Sequence, residues 1–211
     1  MPTIIAGTAG PSVVNDGAQP ALRMGKTGEA IVTELHGKYF EQSYRGALFV
    51  ATQSAAVLLS TSGAAAASFV IANPVGSGKI VSLDRFAMVL AAFPVTPVAG
   101  AYVLAINNNP LAALVTGTPV VPTPGMIGSA GQSVAKVFSS ATLPAVPTIH
   151  RVVATKGLGA STTLAFFGPL LIEFDGTCLL LPGTSLALQQ VVADATNATA
   201  IATVVWEELP L

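Results

Sequence analysis

The stretch from Ala67 to Leu90, ASFVIANPVGSGKIVSLDRFAMVL, holds the clearest fold signal in this sequence. It predicts two β-strands, because two short runs rich in Val, Ile and Phe flank a segment of turn residues. That segment, Asn-Pro-Val-Gly-Ser-Gly, is a strong interruption of regular structure. In the second run, side-chain type alternates residue by residue from Ile80 to Val89, which is the period of a strand.

Similar runs continue in both directions from this stretch. They are ALFVAT, GAYVLAI, SVAKVFSS, TIHRVVATKG, TTLAFFGPLLIEFDG, TCLLLPGTSLALQQVVA and ATAIATVVWEELPL. In the last run Ala200, Ala202, Val204 and Trp206 form one face of a strand. Runs of strands with no regular alternation of strand and helix indicate an all-β fold. We therefore predict an antiparallel two-sheet sandwich, jelly-roll-like, with about eight strands.

The chain before Ala47 does not show the strand pattern of the later residues. Residues 1–32 are rich in Gly, Pro, Ala and Thr and predict an irregular arm. Residues 33–45 predict a short helix that Thr33 caps and Gly46 ends. The sequence thus predicts an N-terminal arm and helix over residues 1–46 and a β-sandwich domain over residues 47–211.

The predicted helix carries an unusual concentration of charged and aromatic residues, TELHGKYFEQSYRG. Leu35, Tyr39, Phe40 and Tyr44 fall on one stripe of such a helix. With Arg45 at its end, this stripe is the candidate assembly interface. Two interpretations stay open at this point: the helix docks on a neighbouring copy, or it covers a sheet edge within its own chain.

Composition excludes several function classes. The 211-residue chain is 52% hydrophobic and only 9% charged, with a formal net charge of -1. It therefore has no basic surface for nucleic acid or an anionic membrane. Residues 86–135 contain no charge, but repeated prolines exclude a membrane-spanning helix. The N-terminus lacks the features of a signal peptide, so we expect none.

The sequence contains no complete motif for catalysis or cofactor binding. The GKT at Gly25–Thr27 and the GSGK at Gly76–Lys79 both fail the spacing of a phosphate-binding loop. His36 and His150 are not spaced as metal ligands, and the single cysteine, Cys178, lies in an apolar context typical of a buried thiol. We expect no enzyme activity, no metal and no cofactor.

One acidic pair leaves an alternative open. Glu173 and Asp175 lie two apart on a predicted strand, so their side chains would point the same way. Such a pair is either a calcium edge or the solvated face of a strand entering a turn. The sequence does not decide between them.

The order of these segments resembles a group of uncharacterised structural proteins of tailed bacteriophages. The resemblance rests on ELHGKYFEQSYRG, NPVGSGKIVSLDR, LPGTSLAL and VVWEELP, and extends from about Glu34 to Pro210. It implies a virion component of the capsid-associated or head-decoration type, located in the virion. The family offers no defined site whose residues could be carried over.

The low charge independently indicates a structural protein that assembles from many copies. A domain with few charges and a net charge near zero has little protection against self-association. We therefore expect copies of the chain to assemble, as a trimer at the local level, and to dock on a major capsid protein or other virion proteins. The alternative is a carbohydrate- or receptor-binding module of a fibre or spike, which would use the loop over residues 110–131.

Overall fold

The computed structural model describes residues 38–92, 98–108, 115–156, 169–193 and 198–211. The chain divides into two compact units, Met1–Phe40 and Glu41–Leu211. Of the first unit, residues 38–40 are described. The predicted boundary after Gly46 stays a prediction.

The described residues form one short helix and thirteen strands. The helix is α1 (Phe40–Tyr44), and the strands are β1 (Leu48–Thr52), β2 (Val57–Leu58), β3 (Ala66–Ala72), β4 (Lys79–Ala92), β5 (Gly100–Asn107), β6 (Thr116–Val120), β7 (Thr123–Pro124), β8 (Lys136–Thr142), β9 (Thr148–Lys156), β10 (Leu170–Glu173), β11 (Leu179–Leu180), β12 (Ser185–Gln190) and β13 (Thr199–Pro210).

Two antiparallel sheets contain these strands. Sheet 1 has the order β10-β4-β13-β1-β7, with β11 paired to β4 and β2 paired to β13. Sheet 2 has the order β6-β8-β3-β12-β5-β9. The predicted antiparallel sandwich is therefore confirmed.

Eight of these strands have jelly-roll connectivity. The first long strand pairs with the last, β1 with β13, and the second with the next to last, β3 with β12. The orders β10-β4-β13-β1 and β9-β5-β12-β3 are those of two interlocked Greek keys. The prediction of about eight strands corresponds to this framework, and five further strands extend it.

The insertion between β5 and β9 widens both sheets on the same side. Its strand β7 pairs with β1 in sheet 1, whereas β8 and β6 pair beyond β3 in sheet 2. The chain from β7 to β8 thus passes from one sheet to the other across the side of the sandwich. This passage carries the candidate site described below.

A β-bulge at Asp84 modifies the alternation expected for β4. Val81 and Leu83 point into the core, but beyond the bulge Phe86 and Met88 do so. An extra residue in one strand of a pair reverses the face that follows it. Neither of the two alternating sets of side chains between Ile80 and Val89 is therefore buried along its whole length.

The core between the sheets is closed at its two ends by buried amide side chains. Gln53 donates from Nε2 to the carbonyl of Ser68 in sheet 2 and accepts from the N–H of Ala202 in sheet 1. At the other end Asn73 Nδ2 donates to the carbonyls of Lys79 and Leu180 at 2.8 Å. Since buried polar groups need partners, these bonds fix how the sheets stack.

Part of the outer face of sheet 2 is apolar as well. Val70, Ala187 and Ala67 form a second buried cluster there with Ala141 and Leu143. Ala187 of β12 is buried in this cluster, whereas Leu186 and Leu188 of the same strand lie in the core between the sheets.

The helix is shorter than the sequence predicts. Residues 33–37 lie outside the described residues, and Lys38 and Tyr39 form a turn rather than the helical continuation predicted for them. Gly46 ends the helix as predicted: its φ is +69°, its N–H donates to the Ser43 carbonyl, and the Ala47 N–H donates to the Gln42 carbonyl. These two bonds are a Schellman motif. Among the described residues, no helix has the length and apolar character needed to cross a membrane.

Candidate assembly surface

The two segments that the sequence singled out separately meet at one corner of the sandwich. They are the end of α1, with the chain leading into β1, and the part of the 110–131 loop that follows β7. The Gly125 N–H donates to the Leu48 carbonyl at 2.7 Å, and Thr123 Oγ1 donates to the Val50 carbonyl at 3.1 Å. We call the segment from Thr123 to Ala135, together with Ser43–Leu48, the corner.

Gly125 makes the close approach between these segments possible. A Cβ atom at this position would lie 3.1 Å from Leu48 Cδ2 and 3.1 Å from Ser43 Oγ. Such contacts are tighter than ordinary van der Waals packing. Leu48 is on the outer face of sheet 1, yet it is only 8% exposed. The corner segment therefore covers a leucine that the sheet alone would leave in solvent.

The turn that follows Gly125 displays nonpolar side chains to solvent. The Ser129 N–H donates to the Met126 carbonyl at 3.1 Å, and Gly128 has a φ of +90°. These features define a type II turn with glycine at its third position. Ile127, at the second position, is 97% exposed, and Met126 is 42% exposed. The turn therefore presents an isoleucine at its tip.

A buried carboxylate holds the other end of the corner. Glu208 accepts hydrogen bonds from Ser133 Oγ at 2.5 Å, from the Val134 N–H at 2.9 Å and from the Ala135 N–H at 3.2 Å. Its other oxygen lies 3.0 Å from Lys79 Nζ. The displayed turn is thus fixed on both sides, by β1 before it and by Glu208 after it.

The electrostatics of Glu208 match this structural role. Burial alone would raise the pKa of the carboxyl, but hydrogen bonds from Ser133, Lys79, Ala135 and Trp206 outweigh it and lower the pKa below its ordinary value. The Glu208 carboxylate is therefore ionised in the folded protein at neutral pH. Lys79 belongs to the GSGK stretch that fails the spacing of a phosphate-binding loop. Its ammonium group instead forms an ion pair with the Glu208 carboxylate.

The neighbouring Glu207 has the opposite environment. It lies on the outer face of sheet 1, and burial followed by the charge of Asp84 raises the pKa of its carboxyl. No group of three or more metal-ligating side chains occurs in the described ranges.

The predicted interface residues fall into three groups. Leu35 lies outside the described residues. Tyr39 is partly buried, with Lys38 Nζ 5.0 Å from its ring centre. Phe40 is 44% exposed, Tyr44 is 58% exposed and Arg45 is exposed. Their role in assembly stays a prediction.

The calcium alternative depended on Glu173 and Asp175 sharing a strand, and this expectation is wrong. Strand β10 ends at Glu173, and Asp175 lies in the following turn with a φ of +47°. Glu173 instead pairs with Arg85 across the sheet at 3.1 Å. The two carboxylates therefore do not form one edge.

The surroundings of Cys178 and His150 do not indicate a reactive or catalytic group. The Cys178 thiol is buried, and burial raises its pKa although the nearby charge of Arg151 opposes the shift. A protonated, inaccessible thiol is unreactive. His150 is an exposed residue of β9, and His36 lies outside the described residues.

A groove opens on the outer face of sheet 2. Its volume is about 210 Å³, and nonpolar groups supply most of its lining. Cross-strand neighbours Lys136, Ala72, Ser185 and Asn107 form its floor, because they pair in register across β8, β3, β12 and β5. Val75 stands at its rim and is 61% exposed.

Sequence reasoning missed both Glu208 and Ile127. For Glu208 a signal existed, since the alternation that places Ala202, Val204 and Trp206 inward also places position 208 inward. For Ile127 no local signal distinguishes a displayed side chain from a packed one.

No protein-family model, curated protein or solved structure matches this chain.

Proposed function

We propose that this protein is a structural subunit of a virion, a capsid decoration or other capsid-associated protein that acts through contacts between copies and with neighbouring shell proteins. The observation that carries the proposal is the corner, where a fixed, uncharged turn holds Ile127 in solvent. Single exposed hydrophobic residues are common on monomers. Here the exposed side chain stands on a turn fixed on both sides, so a partner that covers it would not have to order the loop on binding.

The surroundings of the turn support an apolar contact. Val121, Met126 and Ile127 are 77%, 42% and 97% exposed, and residues 86–135 carry no charge. A partner that covers this segment displaces water from nonpolar surface and leaves no buried charge unpaired. The jelly-roll framework adds only an analogy, because one fold serves many functions.

The edges of sheet 2 favour contacts through side chains rather than through strand addition. The edge strand β6 contains Pro119, which has no N–H to donate. The opposite edge strand, β9, has register shifts at Tyr102/Val103 and Leu104/Ala105 of its partner strand. Proline and bulges both prevent pairing with another chain.

The alternative of a carbohydrate-binding module gains no specific support. Sugar sites commonly combine polar groups with exposed aromatic rings. The groove on sheet 2 has a mostly nonpolar lining with Phe138 as its one aromatic residue. The chain's single tryptophan, Trp206, is fully buried and stacks on Phe49 with ring centres 6.0 Å apart.

Electron microscopy of native particles labelled with an antibody against this chain tests the proposal. We expect many copies in a regular array over the shell, with local threefold symmetry. A handful of copies at the tip of a fibre would support the receptor-binding alternative. Absence of the chain from purified particles would overturn the proposal.

A further inference from the structure

We propose that Tyr44 and Arg45 of one copy dock on a cluster of exposed leucines on sheet 1 of the next copy, with Arg45 paired to Glu207. This inference rests on the proposed function and names the two surfaces that meet. We call the receiving cluster the leucine patch, and its members are Leu179, Leu181, Leu209 and Leu211.

The leucine patch lies on the outer side of sheet 1, at the end where β4 begins and β13 finishes. On β4, Ile80 pairs with Leu209 of β13, and Ser82 pairs with Leu179 of β11. The other two leucines each follow two residues later along the chain, at the same end of the sheet. Three neighbouring strand segments therefore bring the four leucines together.

This clustering distinguishes the leucine patch from single exposed side chains. Every leucine in the described strands of sheet 2 is buried. In the patch the exposed fractions are 53% for Leu179 and Leu181, 38% for Leu209 and 72% for Leu211. Together they present roughly a few hundred Å² of nonpolar surface, a size that on soluble proteins commonly marks an interaction site.

A carboxylate at the border of the leucine patch favours a positively charged partner. Glu207 and Leu179 flank Ser82 in register, so a partner that covers the patch also covers Glu207. Burial and the charge of Asp84 raise the pKa of Glu207, and no ion pair among the described residues includes it. Burying this carboxylate further without a cation would weaken the contact. A partner that brings a cation to Glu207 avoids that cost.

Tyr44 and Arg45 supply the matching side chains. Tyr44 is 58% exposed and Arg45 is exposed beside it, and both residue types are enriched among interface anchors. A guanidinium can bind a carboxylate through two parallel hydrogen bonds. Two exposed lysines are already placed elsewhere, because Lys38 lies over the Tyr39 ring of its own chain and Lys136 stands at the groove of sheet 2.

The pairing of Arg45 with Glu207 joins two copies rather than closing within one. A guanidinium beside Glu207 would lower the pKa of that carboxyl, whereas the pKa is raised. The two surfaces nevertheless lie at the same end of the sandwich, because the Ala47 carbonyl after α1 accepts the Glu208 N–H of β13. Two different surfaces that join produce a heterologous contact, which closes into a ring when the rotation allows. A ring of three copies has the local threefold symmetry expected for the array.

A charge swap tests the pair directly. Arg45→Glu and Glu207→Arg each bring like charges together at the contact, so each should weaken association by at least roughly 30-fold. The double variant Arg45→Glu/Glu207→Arg restores opposite charges between copies and should regain the wild-type mass in sedimentation. Lys136→Glu is the matched control, because it reverses an exposed cation on the other sheet and should leave association unchanged.

The nonpolar part of the contact has its own matched pair of variants. Leu179→Asp should weaken association, whereas Val152→Asp should not, because Val152 is 59% exposed on β9 of sheet 2. Single reversals that assemble like the wild type, or a folded double variant that stays dissociated, would overturn the inference. Weakening by Lys136→Glu in place of Arg45→Glu would also overturn it, since the patch would then receive a different surface.

A second measurement does not depend on charge reversal. Copies carrying Tyr44→Cys and copies carrying Leu209→Cys, co-expressed and oxidised, should form a disulfide-linked pair on a denaturing gel, and either variant alone should not. The native Cys178 is buried and does not interfere. If the wild type assembles but no linked pair forms, this inference fails and the proposed function stands. If the wild type is a monomer, both fail.

Discussion

Adjacent glutamates on β13 should have opposite effects on stability. Glu208 points into the protein, where three donors from residues 133–135 and the Lys79 ammonium surround it. Glu207 points to the outer face, where burial and Asp84 disfavour its charge. Replacing each by glutamine removes the charge and nearly preserves the shape. We expect Glu208→Gln to destabilise the protein and Glu207→Gln to stabilise it slightly.

The size of the Glu208 effect follows from its bonds. Glutamine retains one oxygen for Ser133, Val134 and Ala135, but these bonds become neutral and lose about 1 kcal/mol each. The amide NH₂ group replaces the oxygen that faces Lys79. That pair adds little, because the Lys79 side chain is 37% exposed. A loss of about 3 kcal/mol lowers the melting temperature by roughly 6–12 °C in a domain of this size.

The assay is thermal unfolding followed by fluorescence of Trp206, the only tryptophan, at a series of pH values. The lowered pKa of Glu208 means that its contribution is present above the ordinary carboxyl pKa and is lost as pH falls through the folded value. The gap between wild type and Glu208→Gln should therefore close in acid. For Glu207 the raised pKa means that its penalty disappears in acid as well. Equal shifts of the same sign for the two variants would show that the two carboxylates do not have opposite electrostatic environments.

Three further predictions concern the corner, metals and the N-terminal arm. Gly125→Ala should lower the melting temperature more than Gly131→Ala, because an added Cβ lies 3.1 Å from its nearest neighbours at Gly125 but 3.6 Å at Gly131; equal effects in thermal melts would contradict this packing. Chelator treatment should leave the melting temperature unchanged, and a large drop would bring a metal site back. Deletion of residues 1–32, or the Tyr39→Ala/Phe40→Ala double change, should leave a folded domain by circular dichroism but weaken assembly in light scattering; an unfolded deletion variant would place the arm in the domain's own core.

Local sequence signals predicted much of the fold. Strands β4 and β13 follow from alternation, and the end of the helix follows from Gly46. The Pro182–Gly183 turn is a further feature of this local kind. In that turn the Thr184 N–H donates to the Leu181 carbonyl and Gly183 has a φ of +89°. These features depend on a few neighbouring residues, and so the sequence alone contains them.

Features that join distant residues were not accessible in this way. The pairing of β1 with β13 connects Leu48 to Glu207, and no local pattern specifies it. The bulge at Asp84 is likewise a response to the partner strand. The corner depends on Gly125 meeting Leu48, and the groove on four strands in register. The candidate site therefore had to be found from the structure.

Light scattering of the purified full chain over a wide concentration range shows whether this protein acts through contacts between its copies. We expect a species whose mass is a small multiple of the 21.2 kDa chain and which persists on dilution. Obligate interfaces of this kind bury about 2,000 Å² or more. A stable particle of 21.2 kDa at high concentration would show that the copies do not associate.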